Sequence, residues 1–430
     1  MNPVLPFRLA ATGLLAVTIT AASPAHAADG ASAAPKQADA SQQAENNAGD
    51  SARPAVGAPL VEAEALIKQG RYAEALARAK DAEAVSDMTP YERYSTQRTK
   101  SAAALPLGQT AVAFDAIEAA IGSGYLSGEP QRELIVSLIH SAYAAKDYAR
   151  TVRWADRYLK EGGTRTDIEA LRMQSQYLGG DYAGATATLL ARVQANDAAG
   201  RATPERDLQL LLSSQRKSKD ETGGLQTLER LATRYPKPAY WGELINGVDR
   251  KTLSERLFID LLRFMRATGN LAGAQENLWY AEASLQSGLA GEALSVLDEA
   301  KAKGVFKDAD LKKADALRAK AAKPAAEDVA NRKKDEASAR SAKDGNALAF
   351  LGQSAMGEGR MADAAAMLEQ GFAKGGLRRV DEQRLRLGEA QVLAGNRDGA
   401  KQTLSTLKGA EGMTELAHLW TLLASATPLP

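Results

Sequence analysis

One internal repeat, within residues 345–407, constrains the fold of this chain more than any other feature. A Leu-Gly dipeptide at residues 351–352 recurs at 387–388, and Gly359 recurs as Gly395, so each element is displaced by 36 residues. A period near 34 residues predicts two helices joined by a glycine turn. Because one such pair cannot bury its own apolar face, the pairs are expected to stack on one another.

The repeat places small residues where the two helices of a pair must cross. A bulky side chain there would hold the helix axes apart. The predicted crossing positions are Gly352, Ala364, Gly388 and Ala400. Gly359 and Gly395 follow the first helix of each pair, where a residue with positive φ ends a helix at least cost.

The same turn signal occurs earlier in the chain. Its predicted copies lie at Gly70, Gly108, Lys146, Gly180 and Gly269. The tyrosines that follow two of these turns, Tyr148 and Tyr182, are 34 residues apart. The middle of the chain is less regular, and an abnormal turn is predicted at residues 223–224.

These units, of the form Leu-Gly…Gly-x-Met/Tyr-x-x-Ala, resemble the tetratricopeptide repeat family over residues 59–407. Arg397 departs from the family pattern by replacing an aromatic residue, and Thr151 by replacing a small alanine. The resemblance implies an all-α fold, an α-solenoid in which antiparallel helix-turn-helix pairs form a right-handed superhelix. It also implies a concave face that binds peptides or extended segments, and it supplies no catalytic residues.

The amino-terminal residues predict export. Residues 1–27 read as a signal peptide, with Arg8 before an apolar run and Ala-His-Ala at its end. An uncleaved membrane anchor is the alternative, but the run is shorter than the roughly 20 residues of a membrane span. We therefore expect a periplasmic protein without stable membrane insertion after cleavage.

Composition divides the remaining chain into segments. Residues 28–57 lack large apolar side chains and predict a disordered tether. Residues 58–300 predict a degenerate helical array, and residues 345–430 the carboxy-terminal pair with a capping helix. Residues 301–344 are charged, and Pro324 indicates either two polar helices or a flexible hinge.

Charge and residue usage exclude several functions. The predicted mature chain has 53 basic and 53 acidic residues, which argues against nucleic acid or anionic membranes as main partners. Cysteine is absent, so there are no disulfides or thiolate metal sites. His140 and His418 are isolated and read as core or groove residues rather than metal ligands. With no phosphate loop or nucleophile elbow, we expect no catalytic residues, metal or cofactor.

The best candidate binding residues lie in the aromatic segment 235–241. They are Tyr235, Lys237, Tyr240 and Trp241. Tyr and Trp are frequent interface anchors, although both also serve as packing residues at a helix start. The segment is similar to one in exported repeat proteins of Gram-negative bacteria, some of which are associated with the TonB energy-transduction machinery.

The sequence thus favours a non-enzymatic adaptor that binds a protein or peptide partner in the cell envelope. Two alternatives remain open. One is a cell-wall or polysaccharide enzyme, or a glycan-binding accessory, with two convergent carboxylates and aromatic platforms in a polar cleft. The other is a homo-oligomeric structural array.

Overall fold

The computed structural model describes residues 51–409 and 411–427. The predicted signal peptide and residues 28–50 of the predicted tether lie outside these residues. Within the described part of the chain every regular element is a helix, which confirms the all-α class. The described residues divide into two compact units, with the boundary between residues 220 and 221, so the division falls inside the segment predicted as one array.

The described residues of the first unit form nine α-helices, with a short 3-10 turn after the third. They are α1 (Pro54–Lys68), α2 (Tyr72–Glu83), α3 (Pro90–Ala104), α4 (Thr110–Ile121), α5 (Gly128–Ala144), α6 (Tyr148–Lys160), α7 (Thr166–Leu178), α8 (Tyr182–Ala198) and α9 (Glu205–Lys217). Consecutive helices pack on one another, as expected of stacked pairs.

The described residues of the second unit form eleven α-helices. They are α10 (Glu221–Arg234), α11 (Pro238–Gly247), α12 (Phe258–Ala267), α13 (Ala274–Gln286), α14 (Ala290–Ala302), α15 (Asp308–Ser341), α16 (Asn346–Gly357), α17 (Met361–Lys374), α18 (Val380–Leu393), α19 (Arg397–Ser405) and α20 (Glu411–Ser425). Residues 223–224 lie inside α10, so the abnormal turn predicted there is wrong.

The turns of the first unit use the left-handed backbone conformation that the repeat predicts. Gly70 has φ 76° and Gly180 has φ 84°. Lys146 occupies the equivalent place with φ 61°, although a lysine there is strained relative to glycine. The next residue, Asp147, offsets part of this strain because its carboxylate accepts the backbone N–H of Arg150 and caps α6.

The ordered fold begins before residue 58, which corrects the predicted end of the tether. Helix α1 starts at Pro54, and Arg53 donates its backbone N–H and its guanidinium Nε to Glu92 at 2.7 and 2.9 Å. Glu92 also closes a capping box with Thr89 at the start of α3. The hydrogen bonds from Arg53 lower the pKa of Glu92 to about 2, against burial that raises it. The sequence did not predict this contact between Arg53 and Glu92, because the residues around Arg53 are rich in alanine and resemble the predicted tether.

The carboxy-terminal pairs confirm the predicted crossing residues. A Cβ added at Gly352 would lie 2.8 Å from Cγ of Leu368, and one at Gly388 would lie 2.4 Å from Cδ2 of Leu404. The partners predicted on the opposite helices, Ala364 and Ala400, are fully buried. The helices approach this closely because neither crossing position carries a bulky side chain.

Residues 308–341 form one continuous helix, α15, rather than a hinge or two helices joined at Pro324. The buried face of α15 consists of alanines alone: Ala314, Ala321, Ala325 and Ala339. Pro324 lies on the exposed face, where water can hydrate the carbonyl group that its missing N–H leaves free. Helix α15 packs on α13 and α14, so it is part of the second unit and not a linker.

The last helix, α20, packs against α10, α12, α18 and α19 of the same unit. Its Trp420 is fully buried and makes an edge-to-face contact with Phe264, with ring centroids 5.2 Å apart. The predicted capping helix therefore contacts both the final helix pair and the helices that begin the second unit.

Candidate functional site

The aromatic residues predicted to bind a partner lie mainly in the core. Tyr240 and Trp241 are 1% and 2% exposed, so the prediction that they anchor a partner at the surface is wrong. Pro238 begins α11, and this helix buries Tyr240 and Trp241 together with Leu244 and Ile245. Tyr235 is half-buried and Lys237 is exposed.

The two histidines outside the predicted signal peptide are surface residues rather than core or groove residues. The side chain of His140 is 47% exposed, with Nε2 3.3 Å from Oδ2 of Asp167. The side chain of His418 is 55% exposed, and its Nε2 lies 2.8 Å from Oε1 of Glu229. Both imidazoles therefore pair with a carboxylate in a solvated environment.

A buried ionic network is the most unusual feature of the second unit. Arg263 on α12 donates two parallel hydrogen bonds to Glu292 on α14, from Nε at 2.8 Å and from Nη2 at 2.7 Å. Its Nη1 donates to Asp260 at 2.9 Å, and the hydroxyl of Tyr280 donates to Glu292 at 2.7 Å. Arg386 on α18 pairs with Asp260 from Nε at 3.1 Å. The network thus joins four helices.

Glu389 is the member of this network whose carboxylate oxygens accept no hydrogen bond among the described residues. It is fully buried, and Nη1 of Arg263 is 3.6 Å from its Oε2. Burial, followed by the charge of Asp260, raises the pKa of Glu389 well above its ordinary value. Burial also acts to raise the pKa of Glu292, but the charge and hydrogen bonds of Arg263 outweigh it and lower that pKa.

An open groove of about 340 Å³ lies in the second unit between the carboxy-terminal half of α15 and helices α16 and α17. Its apolar surface includes Phe350, Leu351 and Met367. Phe350 is 44% exposed, a large fraction for an aromatic ring. Asp328 and Asp335 line the side formed by α15. The groove therefore combines an apolar surface with a polar rim.

The groove arises because α15 continues far beyond its contacts with α13 and α14. The cores of α13 and α14 pack on Ala314 and Ala321, in the first half of α15. The second half runs beside α16, whose residues Ala347, Leu351 and Ser354 follow helical spacing along the facing wall. None of these residues was predicted as a site, although Phe350 stands out as an aromatic in a stretch rich in alanine and glycine.

Neither a metal centre nor a membrane span is found in the part of the chain that the structure describes. No group of three or more histidine, aspartate or glutamate side chains there is placed to hold a metal ion. No helix among the same residues is long and apolar enough to cross a bilayer.

Comparisons with known proteins identify no family. No protein-family model matches the sequence, and no curated protein matches it. Among solved structures, that of Naa15/Naa10 bound to HypK-THB is 14% identical at a TM-score of 0.31, over 85% of this chain and 59% of that one. The pentatricopeptide repeat protein PPR10 from maize is 14% identical at 0.26, over 90% and 64%. The P58(IPK) TPR domain is 12% identical at 0.21, over 86% and 98%.

The chain spans less than two thirds of the first two of these structures, and such TM-scores carry no argument about function. The class of protein is defined by the helices themselves. Antiparallel pairs, left-handed turns and close crossings at Gly352 and Gly388 define an all-α fold of stacked helix-turn-helix repeats.

Proposed function

We propose that this protein is a non-enzymatic scaffold that binds a segment of another protein in the groove between α15 and α16. The exposed ring of Phe350 in that groove is the observation that carries the proposal. The aromatic side chain of Phe350, beside Leu351 and Met367, offers an apolar surface to a partner. The charged residues at the rim can fix the orientation of the bound segment.

We place this activity in the cell envelope, in the periplasm. The predicted signal peptide in residues 1–27 supports that location. The TonB energy-transduction machinery is one candidate partner, because the segment at residues 235–241 is similar to one in exported proteins associated with it. The glycan-binding alternative requires aromatic platforms beside paired carboxylates, whereas this groove offers carboxylates with one aromatic ring, Phe350.

Crosslinking in cells tests the proposal directly. A photoreactive residue at Phe350 should capture a specific envelope protein. The same residue at Leu225 should not, because Leu225 is 52% exposed in the same unit but does not line the groove. Tyr240, one of the candidate binding residues of the aromatic segment, is an unsuitable site because it is buried.

Substitution provides the complementary test. Phe350→Ala should abolish recovery of the captured protein in a pull-down with purified protein and should leave the helical circular dichroism unchanged. Leu225→Ala is the matched control and should retain binding. Capture from Leu225 and Phe350 alike would contradict the proposed groove, and capture of this chain alone would favour the homo-oligomeric array.

A further inference from the structure

Helix α15 presents different charges to the groove and to solvent. Its groove side carries Asp328, Asp335 and Glu336, together with the single cation Arg332. The lysines of the same half of the helix, Lys333 and Lys334, are exposed and do not line the groove. A helix rich in lysine therefore directs its acidic residues toward the groove.

The cations of the groove are already engaged. Nη2 of Arg332 and Nε of Arg360 both pair with Oε2 of Glu358, at 2.7 and 2.8 Å. Glu336 is paired with Arg340 at 3.2 Å. Arg360 also pairs with Asp363 at 2.9 Å, so the recorded ion pairs of both groove cations are with carboxylates other than Asp328 and Asp335.

The side chains of Asp328 and Asp335 make no hydrogen bond and no ion pair with any residue that the structure describes. Burial, followed by the charges of Glu358, Asp335 and Glu327, raises the pKa of Asp328. These three neighbouring carboxylates carry charge of the same sign as Asp328. An incoming cation would relieve this repulsion, and an incoming anion would add to it.

We propose that the groove selects a cationic amphipathic peptide segment. An apolar side chain of the segment packs on Phe350 and Leu351, and a lysine or arginine of the segment pairs with Asp328 and Asp335. This inference rests on the proposed function and specifies the chemistry of its partner. Charge complementarity favours a basic segment over an acidic one. Among the described residues no cluster of side chains is placed to hold a metal ion, which favours an ammonium or guanidinium group as the cation.

Selection from a displayed library of random peptides tests the charge preference without knowledge of the natural partner. The full chain without residues 1–27 is immobilised and panned. Enriched peptides should combine lysine or arginine with leucine, phenylalanine or methionine. A synthetic copy of one such peptide should lose about tenfold in affinity, or more, for the double variant Asp328→Asn with Asp335→Asn, and should weaken with added salt.

Two further variants separate the groove from general electrostatics. Asp298→Asn with Asp315→Asn removes the same charge from exposed ion pairs that do not line the groove, so it should leave affinity within about twofold. Phe350→Ala should abolish binding. Circular dichroism and thermal melting of each variant confirm that the fold is retained.

The outcomes are distinguishable. Enrichment of acidic peptides, or equal binding to the groove and control double variants, would overturn the charge preference; dependence on Phe350 would still support the groove itself. Failure to enrich any peptide that depends on Phe350 would overturn both the charge preference and the proposed function.

Discussion

Replacing Arg263 with methionine should destabilise the second unit more than any substitution of an exposed charge. The Arg263 side chain is 3% exposed, and its partners Asp260 and Glu292 are 0% and 2% exposed. Methionine fills much of the same space but removes every hydrogen bond that the guanidinium donates. Glu292 would keep only the hydroxyl of Tyr280, and Asp260 would keep only Arg386.

Loss of one partner from a buried ion pair leaves an uncompensated charge, which costs about 3–5 kcal/mol. For a unit of this size each kcal/mol corresponds to about 2–4 °C in Tm, so the melting temperature should fall by roughly 6–20 °C. Arg263→Lys should also be destabilising, because an ammonium group cannot donate two parallel hydrogen bonds to Glu292.

Urea unfolding and differential scanning calorimetry measure this loss, with Arg266→Met as the matched control. Arg266 lies one turn along the same helix and pairs with Glu299 at 2.7 Å, but the two side chains are 30% and 39% exposed. Its loss should therefore cost less than about 1 kcal/mol. Equal losses for Arg263→Met and Arg266→Met would refute the argument that burial makes the first pair critical.

Three further predictions concern single positions. The raised pKa of Glu389 means that the folded state favours the neutral form of this side chain. The stability that Glu389 contributes is therefore fully present below its ordinary pKa of about 4.3, and it is lost as the pH rises through the folded-state pKa. Glu389→Gln should accordingly be more stable than the parent at neutral pH, and identical urea profiles across pH would contradict this. A Cβ at Gly357 would lie 2.4 Å from Cβ of Glu292, so Gly357→Ala should lower the free energy of unfolding in urea by about 1–3 kcal/mol. Gly247→Ala is the control: a Cβ there has nothing within 4 Å, so the free energy of unfolding should stay the same or rise by up to about 1 kcal/mol. Lys146 has φ 61°, so Lys146→Gly should gain about 1 kcal/mol by thermal melting, whereas Lys146→Ala should gain nothing because it keeps the strain.

The helix pairs could be predicted because their geometry depends on residues close together in sequence. Gly352 and Ala364 mark the helix crossing within one pair, and Gly359 marks its turn. One period of the repeat therefore contains every residue that specifies the geometry of the pair. The long helix was harder to predict. Its buried positions are filled by alanine, as at Ala321 and Ala325, and alanine adds little to an apolar periodicity that is judged from large side chains.

The aromatic segment shows how composition can mislead. Tyr240 and Trp241 are adjacent, and Leu244 and Ile245 follow at helical spacing. This pattern places the aromatic pair on the buried face of a helix, and the structure does so. Rarity of aromatic residues along the chain carried no information about exposure.

The ionic network could not be predicted in full because its partners are distant in sequence. Asp260 and Arg386 are 126 residues apart and meet only when the fold brings α18 close enough to α12 for their side chains to hydrogen-bond. One local signal was available: Asp260 and Arg263 lie in a mostly apolar helix with the i,i+3 spacing of an ion pair. Charges in such a setting must be paired on folding, although the sequence does not show which partners they meet.

The network and the groove are joined through α16. The carboxy-terminal end of this helix, at Gly357, lies against Glu292, and its Phe350 faces the groove. The close approach at Gly357 fixes α16 against α14, whose Glu292 is held in turn by Arg263. The wall that carries Phe350 is therefore anchored to the most strongly paired part of the second unit. This arrangement gives the exposed ring a rigid support, which lowers the entropy lost when a partner binds.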